Sequence, residues 1–88
     1  MQNDAASLLQ ELQTAAAKAV GSNRVLKAIA DGRAVRVFLA KDVEHFLSQT
    51  IINNTQLAGI PLTMVDSREE LAEHCKVSVK TAAAAILR

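Results

Sequence analysis

Hydrophobic positions recur at helical spacing along the first part of the chain. Five apolar side chains fall on one stripe with a period near 3.6 residues, which predicts an amphipathic helix over residues 4–17. The members of this stripe are Leu8, Leu9, Leu12, Ala15 and Ala16. A polar break follows at Gly21-Ser22-Asn23, where Asn23 is suited to cap a second helix. That helix is short and is expected to end at Gly32.

The middle of the chain predicts two strands with a helix between them. Residues 34–40 form a β-rich run bounded by charged residues, and this pattern is typical of a strand buried on both faces. Asp42 is expected to cap the third helix, which Gly59 ends, and residues 62–65 form the second strand after Pro61. The predicted buried stripe of the third helix consists of Val43, Phe46, Leu47, Thr50, Ile51, Leu57 and Ala58.

The last part of the chain predicts a helix, a loop and an alanine-rich end. Ser67 with Glu70 three residues later forms a capping box, which begins a fourth helix that ends near Cys75. Residues 76–80 are interpreted as a loop, while helix propensity alone favours a helix for residues 81–87. The alternation of helices and strands over 88 residues predicts one α/β domain, with a sheet between helices and crossovers long enough for parallel pairing.

Composition narrows the class of protein. The chain is 50% hydrophobic and 22% charged, which is typical of a soluble globular protein. No apolar run reaches the roughly 18–20 residues needed to cross a bilayer, so no membrane association is expected. The start, Met1–Asp4, lacks the basic and then apolar order of a signal peptide. Cys75 is the only cysteine, which favours a reducing, cytoplasmic location.

Charge is distributed unevenly along the chain. The net charge is only +1, but residues 1–41 hold six basic and three acidic side chains, whereas residues 42–88 hold four basic and six acidic. One face of the fold can therefore be locally basic, which would suit a polyanionic partner.

The side chains do not form a catalytic or metal-binding pattern. His74 and Cys75 are adjacent, so on a helix they point about 100° apart, and zinc usually takes four ligands. Glu69 and Glu70 are better interpreted as charges in the first turn of a helix than as a catalytic pair. We therefore predict a protein that is not an enzyme and that needs no metal or cofactor.

Five segments of the chain resemble the motifs of one known protein family. Residues 21–28 resemble its Gly-Thr-Asn-Glu-x-x-Lys-Ala, and residues 40–43 resemble its Ala-(Glu/Lys)-Asp-Val. Residues 59–62 look like its (Asn/Gly)-(Ile/Val)-Pro-x, and residues 65–71 are similar to its Val-x-Ser-Lys-x-x-Leu. Residues 77–86 look like its Ile-Glu-Val-x-x-Ala-Ala-x-Ala-Ile. In this order and register the segments resemble the kink-turn-binding ribosomal protein family, the "L-seven-Ae" superfamily.

The resemblance implies both a fold and a function. The fold is a three-layer α/β/α sandwich with a central mixed four-stranded sheet, in which the alanine-rich end is a strand. The function is to bind a structured RNA that contains a kink-turn, a sharp bend with sheared G·A pairs and a flipped-out nucleotide. The ribosome is a further expected partner, and we expect a monomer whose first helix docks on its own sheet.

The resemblance also implies an RNA-binding site made of two segments. The start of the second helix would bind phosphate through its free N–H groups, Asn23 would read a base edge, and Lys27 would reach a guanine or a phosphate. The loop before the last strand would cover the flipped-out nucleotide with apolar contacts. The implied site residues are Gly21, Ser22, Asn23, Arg24, Lys27, Lys76, Val77, Ser78 and Val79. Residue patterns alone leave Asn23 as a helix cap and Lys27 as a surface lysine, and they assign Arg33 and Arg36 to no site.

Three positions depart from the family pattern. Arg24 stands where the family commonly has Glu, and arginine cannot accept a hydrogen bond from a guanine amino group. Ala72 replaces a glycine of the fourth helix, and Lys76 replaces a glycine before the loop. The family's glycine at position 76 is expected to adopt a positive φ, and the same conformation costs a lysine roughly 1 kcal/mol or more. These departures leave open an alternative function, a protein-interaction module on the same fold.

Overall fold

The computed structural model describes residues 5–88, over which helices and strands alternate. The helices are α1 (Ala5–Thr14), α2 (Ser22–Ala30), α3 (His45–Ala58) and α4 (Arg68–Cys75). The strands are β1 (Lys18–Val20), β2 (Ala34–Ala40), β3 (Leu62–Val65) and β4 (Ala83–Leu87). Within residues 5–88, every helix is too short or too polar to cross a bilayer.

The strands form one mixed sheet in the order β1-β4-β2-β3. β2 is parallel to β3 and antiparallel to β4, and β4 is also antiparallel to β1. As a result, β1, β2 and β3 finish at the same end of the sheet, where β4 begins. We call this the upper end of the sheet, marked by Val20, Ala40, Val65 and Ala83.

Helices cover both faces of the sheet and complete a three-layer α/β/α sandwich. α2 and α3 pack on one face, around a core that contains Val25, Ile29, Val37, Leu39 and Ile51. α1 and α4 pack on the other face, around a core that contains Leu9, Leu12, Phe38, Val65 and Leu71. The first three residues of β4 are fully buried alanines, whose small side chains let both helix layers approach the sheet.

Much of the predicted architecture is confirmed. The bounds of β2 and β3 are those predicted, and the alanine-rich end is the strand that the resemblance implied rather than the helix favoured by propensity. The Ser67 side chain accepts a hydrogen bond from the Glu70 N–H at 3.0 Å, so α4 is capped as expected. Gly59 ends α3 in a left-handed conformation, with φ 70°. α1 docks on the sheet through the buried Leu9 and Leu12.

The prediction of one helix over residues 4–17 is wrong at its C-terminal end. Asp4, its predicted first residue, lies outside the described residues. The helix stops at Thr14, Ala15 is only partly buried and Ala16 is exposed. The chain then forms the short strand β1, because pairing with β4 supplies backbone hydrogen bonds that outweigh the helix propensity of the alanine run.

Two predicted helix caps are also wrong. Asn23 lies inside the first turn of α2, and Gly21 occupies the N-cap position instead. Glu44 rather than Asp42 caps α3, because its side chain accepts a hydrogen bond from the Leu47 N–H at 3.2 Å. Asp42 instead accepts a hydrogen bond at 2.9 Å from the Arg68 N–H at the start of α4.

The predicted buried stripe of α3 is wrong at several positions. Ile51 is buried and Leu47 is partly buried, but Phe46 is 75% exposed, Leu57 is 89% exposed and Ala58 is exposed as well. Thr55, which the prediction left out, is buried, and its hydroxyl donates to the Ile52 carbonyl at 2.9 Å. The buried face therefore follows positions 47, 51 and 55, which are spaced one helical turn apart.

Candidate functional site

The upper end of the sheet brings together the two segments implied by the resemblance. The Gly21 N–H donates a hydrogen bond to the Ala83 carbonyl at 2.9 Å, and Val20 pairs in register with Ala84. The start of α2 is therefore fixed beside the residues that enter β4. The loop of residues 76–80 leads directly into this strand, and the Ala40 N–H donates to the Ala82 carbonyl at 2.9 Å. We call the start of α2 and this loop together the cradle.

The start of α2 is electropositive and has no side-chain cap. Gly21, with φ 105° and ψ 147°, takes a backbone conformation that L residues rarely adopt. Within the described part of the chain, no side chain bonds to the first turn of α2, and this turn holds no acidic residue. The early N–H groups and the positive end of the helix dipole can therefore act on an anion. α4 differs, because Ser67 caps it and Glu69 and Glu70 lie in its first turn.

The predicted side chains of α2 are accessible. Asn23 and Arg24 are exposed, and Ser22 is partly buried. The Lys27 side chain is 79% exposed, and its Nζ lies 3.7 Å from Asp31 Oδ2 one turn further along. Such an exposed pair is worth only about 0.3–0.5 kcal/mol, so Lys27 can exchange it for another anion at little cost.

Lys76 and Val77 fix the first part of the loop against α4. Lys76 has φ 61° and ψ 41°, so it adopts the left-handed conformation expected for the glycine that it replaces. The Val77 N–H donates to the Ala72 carbonyl at 3.1 Å. Lys76 caps the lower end of α4, which rises about 12 Å over its length. The structure therefore brings the end of the loop to Gly21, but it leaves Lys76 at the far end of α4.

The loop presents apolar and basic side chains to solvent. Val79 is 68% exposed, and Val77, Ser78 and Lys80 are exposed as well. The loop returns along α4 to Thr81, whose N–H donates to the Arg68 carbonyl at 3.2 Å and whose hydroxyl donates to the Val79 carbonyl at 3.3 Å. A pocket of about 470 Å³ lies between this loop and α4.

Two acidic residues of this pocket were not among the predicted site residues. Glu69 and Glu73 lie one turn apart on α4 and line the pocket together with the loop. Their carboxylates can accept hydrogen bonds from a nucleobase, but they oppose a phosphate. Glu69 was interpreted as a charge in the first turn of a helix, without a role in binding. No pattern in the sequence indicated that this helix face borders the loop.

Cys75 and His74 make contacts within α4 and its core in the described part of the chain. The Cys75 thiol is buried, and burial raises its pKa, while the charge of Lys18 partly offsets that rise. His74 Nδ1 lies 3.0 Å from the Glu70 carbonyl, within the same helix. Among residues 5–88, no group of three or more His, Cys, Asp and Glu side chains is placed to hold a metal ion.

The chain resembles known proteins over most of its length. Residues 3–88 match the ribosomal protein L7Ae/L30e/S12e/Gadd45 family. An RNA-binding protein of Geobacillus sp. strain WCH70 and the RNA-binding protein YbxF of Geobacillus stearothermophilus are each 33% identical over 69 residues, which cover 78% of this chain and 84% of each relative.

Solved structures share the fold. The 15.5 kD RNA-binding protein of Giardia lamblia superposes with a TM-score of 0.87 at 28% identity, covering 100% of this chain and 78% of that one. A Bacillus halodurans protein of unknown function superposes with a TM-score of 0.80 at 21% identity, covering 93% of this chain and 82% of that one. The second likeness concerns the fold alone.

Proposed function

The chain belongs to the ribosomal protein L7Ae/L30e/S12e/Gadd45 family, and from this we propose that it is a non-enzymatic protein that binds a kink-turn or a similarly bent structured RNA. Relatives named as RNA-binding proteins at 33% identity support RNA as the partner. We further propose that the protein acts as a monomer in the cytoplasm on a ribosomal or regulatory RNA.

The main structural support is the hydrogen bond from the Gly21 N–H to the Ala83 carbonyl. It holds an uncapped, electropositive helix start beside the end of a loop on which Val79 is exposed. An anion-binding group and an apolar side chain thus lie towards one end of the sheet. A kinked RNA offers the matching pair, a close approach of phosphates and an unstacked base.

Each part of the cradle has a proposed role. The N–H groups at the start of α2 bind a phosphate, and the Asn23 amide, which both donates and accepts, reads a base edge. Lys27 contacts a guanine oxygen or a phosphate one turn further on. The valines of the loop cover the flipped-out nucleotide, and Glu69 and Glu73 accept hydrogen bonds from its base.

The protein acts by population shift. A kink-turn RNA exchanges between an extended and a bent form, and a protein that contacts both sides of the bend binds the bent form more tightly. Binding therefore shifts the RNA towards the bent form, and the size of this shift is set by the ratio of the protein's affinities for the bent and the extended forms. We expect the protein to fold a kink-turn in the absence of magnesium.

A binding titration tests this function. Fluorescence anisotropy would follow a labelled kink-turn RNA and a matched hairpin whose sheared G·A pairs are replaced by Watson–Crick pairs, each at two salt concentrations. We expect nanomolar to micromolar binding of the kink-turn, and a preference over the hairpin that persists at the higher salt. Equal affinity for both RNAs at both salt concentrations would refute specific recognition, because nonspecific contacts to phosphate are lost steeply as salt rises.

The outer face of α3 favours a second candidate function, self-association. Phe46 is 75% exposed and Leu57 is 89% exposed, and their spacing of eleven residues places both on one stripe of the helix. α3 contains no Asp, Glu, Lys or Arg, so two copies could pack it in antiparallel fashion without repulsion between like charges. Two results together would favour this function. Sedimentation would show a wild-type dimer that dissociates in Phe46→Ser and in Leu57→Ser, and the wild type would lose all RNA binding at moderate salt.

A further inference from the structure

A second pocket adjoins the cradle, between α2 and the edge of the sheet, and Arg24 and Lys27 belong to both. Its volume is about 200 Å³, and it borders β1, which is one of the two edge strands. Its apolar lining comes from Ala19, Ala28 and Leu87. Ala19 and Ala28 are buried in the core on the α2 side of the sheet, and Leu87 packs against that core. The pocket therefore has a firm apolar floor.

Basic side chains surround this floor. Arg24, Lys27 and Arg33 line the pocket, and all three are exposed to solvent. Asp31 also lines it, but its carboxylate lies 3.7 Å from the Lys27 ammonium, which partly neutralises it. The Lys18 ammonium is engaged elsewhere, because it donates to the Leu12 and Gln13 carbonyls at 3.2 Å each. We call Arg24, Lys27, Arg33 and Asp31 the rim of the pocket. The rim keeps a net positive charge because its three cations outnumber the one carboxylate.

The combination of floor and rim indicates the class of ligand. A phosphate alone would use the cations but would gain nothing from Leu87 and the two alanines. A ring seated on the floor would use both, because burial of its apolar surface adds to the attraction between a phosphate and the rim. The pocket is smaller than the roughly 300–1,000 Å³ typical of drug-sized ligands, so it suits a single ring system.

We propose that this pocket binds one nucleotide, with the base or ribose on the floor of Ala19, Ala28 and Leu87 and the phosphate between Arg24, Lys27 and Arg33. The nucleotide is either an unpaired residue of the bound RNA next to the kink, an alternative that rests on the proposed function and shares Lys27 with it, or a free mononucleotide. The proposal also explains the departure at Arg24. A glutamate there would place a second carboxylate on the rim beside Asp31, whereas arginine makes the rim basic.

The first test uses the free protein and does not depend on a kink-turn. NMR would follow the methyl groups of Ala19, Ala28 and Leu87 during titration with adenosine monophosphate, uridine monophosphate, adenosine and inorganic phosphate. We expect the monophosphates to shift these methyls at lower concentration than adenosine or phosphate. We also expect Arg33→Ala to weaken the affinity for the monophosphates about 3-fold to 10-fold, as for loss of a partly exposed charge-assisted hydrogen bond. Arg36→Ala, a matched charge removal outside the pocket, should leave the titration unchanged.

The second test distinguishes an RNA nucleotide from a free one. The minimal kink-turn RNA would be compared with versions that carry a short single-stranded extension at each stem terminus in turn. Tighter binding of one extended RNA, lost in Arg33→Ala but not in Arg36→Ala, assigns the pocket to the RNA. Monophosphate binding with no gain from any extension assigns it to a free nucleotide.

The proposal is overturned if inorganic phosphate shifts the methyl signals at as low a concentration as the monophosphates do. It is also overturned if no monophosphate shifts these signals and no single-stranded extension tightens RNA binding. These outcomes are separate from failure of the proposed function. That function fails if the minimal kink-turn is not bound in preference to its control hairpin, and Arg33 has no role in that comparison.

Discussion

Asp42 joins the end of β2 to the start of α4 through Arg68. Asp42 Oδ1 accepts a hydrogen bond from the Arg68 backbone N–H at 2.9 Å and lies 3.5 Å from Arg68 Nε. The second contact is an ion pair without hydrogen-bond geometry, and Arg68 Nε is buried with no hydrogen-bond partner within the described residues. The Arg68 carbonyl in turn accepts from the Thr81 N–H, so the same residue anchors the end of the cradle loop.

Removal of this carboxylate is expected to destabilise the fold. Asp42→Ala leaves an N–H at the start of α4 without its acceptor and should lower the free energy of unfolding by about 0.5–2 kcal/mol, as for loss of a helix cap. Asp42→Asn keeps an acceptor oxygen and should lose less. Urea denaturation of the three proteins checks this, and equal stability of Asp42→Ala and the wild type would contradict it.

Lys27→Ala is expected to weaken RNA binding without unfolding the protein. Loss of a contact to a guanine edge should cost about 1–3 kcal/mol of binding free energy, measured by anisotropy with the minimal kink-turn. Stability should change by no more than about 0.5 kcal/mol, because the pair with Asp31 is exposed. Arg36→Ala removes the same charge away from the cradle, and a loss of equal size in this variant would show a general charge effect instead.

Arg24→Glu is expected to sharpen discrimination. A carboxylate at the start of α2 can accept a hydrogen bond from the amino group of guanine in a sheared G·A pair, which arginine cannot do. The ratio of affinities for the kink-turn and its control hairpin should therefore rise, even if affinity for both RNAs falls with the lost positive charge. Arg24→Gln separates the change of charge from the new acceptor. An unchanged ratio in Arg24→Glu would place the G·A contact elsewhere.

Lys76→Gly is expected to stabilise the protein. Lys76 is held at φ 61°, and relief of this left-handed strain should add about 1 kcal/mol to the free energy of unfolding, or roughly 4–8 °C in Tm for a domain of this size. Lys80→Gly is the matched control, because Lys80 is not among the residues with positive φ and glycine there adds only freedom to the unfolded chain. A lower Tm for Lys76→Gly would mean that the lysine side chain contributes more than the strain costs.

The buried thiol of Cys75 is expected to give the fold a measurable alkaline dependence. Because burial raises the pKa of this thiol, the unfolded chain loses the proton at a pH where the folded chain keeps it. The stability of the wild type should therefore fall relative to Cys75→Ala as pH rises through the ordinary thiol pKa of about 8.5, and level off above the raised pKa. Denaturation of both proteins across this range is the measurement, and parallel profiles would contradict the prediction.

The sequence was sufficient to predict the bounds of elements that carry strong local signals. β2 and β3 were predicted at their observed bounds because charged residues, Gly59 and Pro61 delimit them. The capping box at Ser67 located α4. The short strand β1 was missed. Its three residues follow an alanine run and are too few to show the alternation of apolar and polar positions, so only pairing with β4 makes them a strand.

Other errors concern contacts made across long sequence distances. Asp42 has the chemistry of a cap for the helix that follows it, but its acceptor oxygen is used by Arg68, 26 residues away. The implied binding segments were predicted from the resemblance, whereas the roles proposed for Glu69, Glu73 and Arg33 arise from surfaces that form only when α4 meets the loop and α2 meets the sheet edge. No local pattern in the sequence records those surfaces.

The pairing of β1 with β4 joins segments that are far apart in the sequence, with Val20 opposite Ala84. During synthesis, the start of α2 leaves the ribosome long before the strand that fixes it beside the loop. A nascent chain that lacks residues 83–87 therefore cannot hold the start of α2 beside the loop. With the cradle as the proposed RNA-binding site, we expect RNA to be captured only after translation has passed that strand.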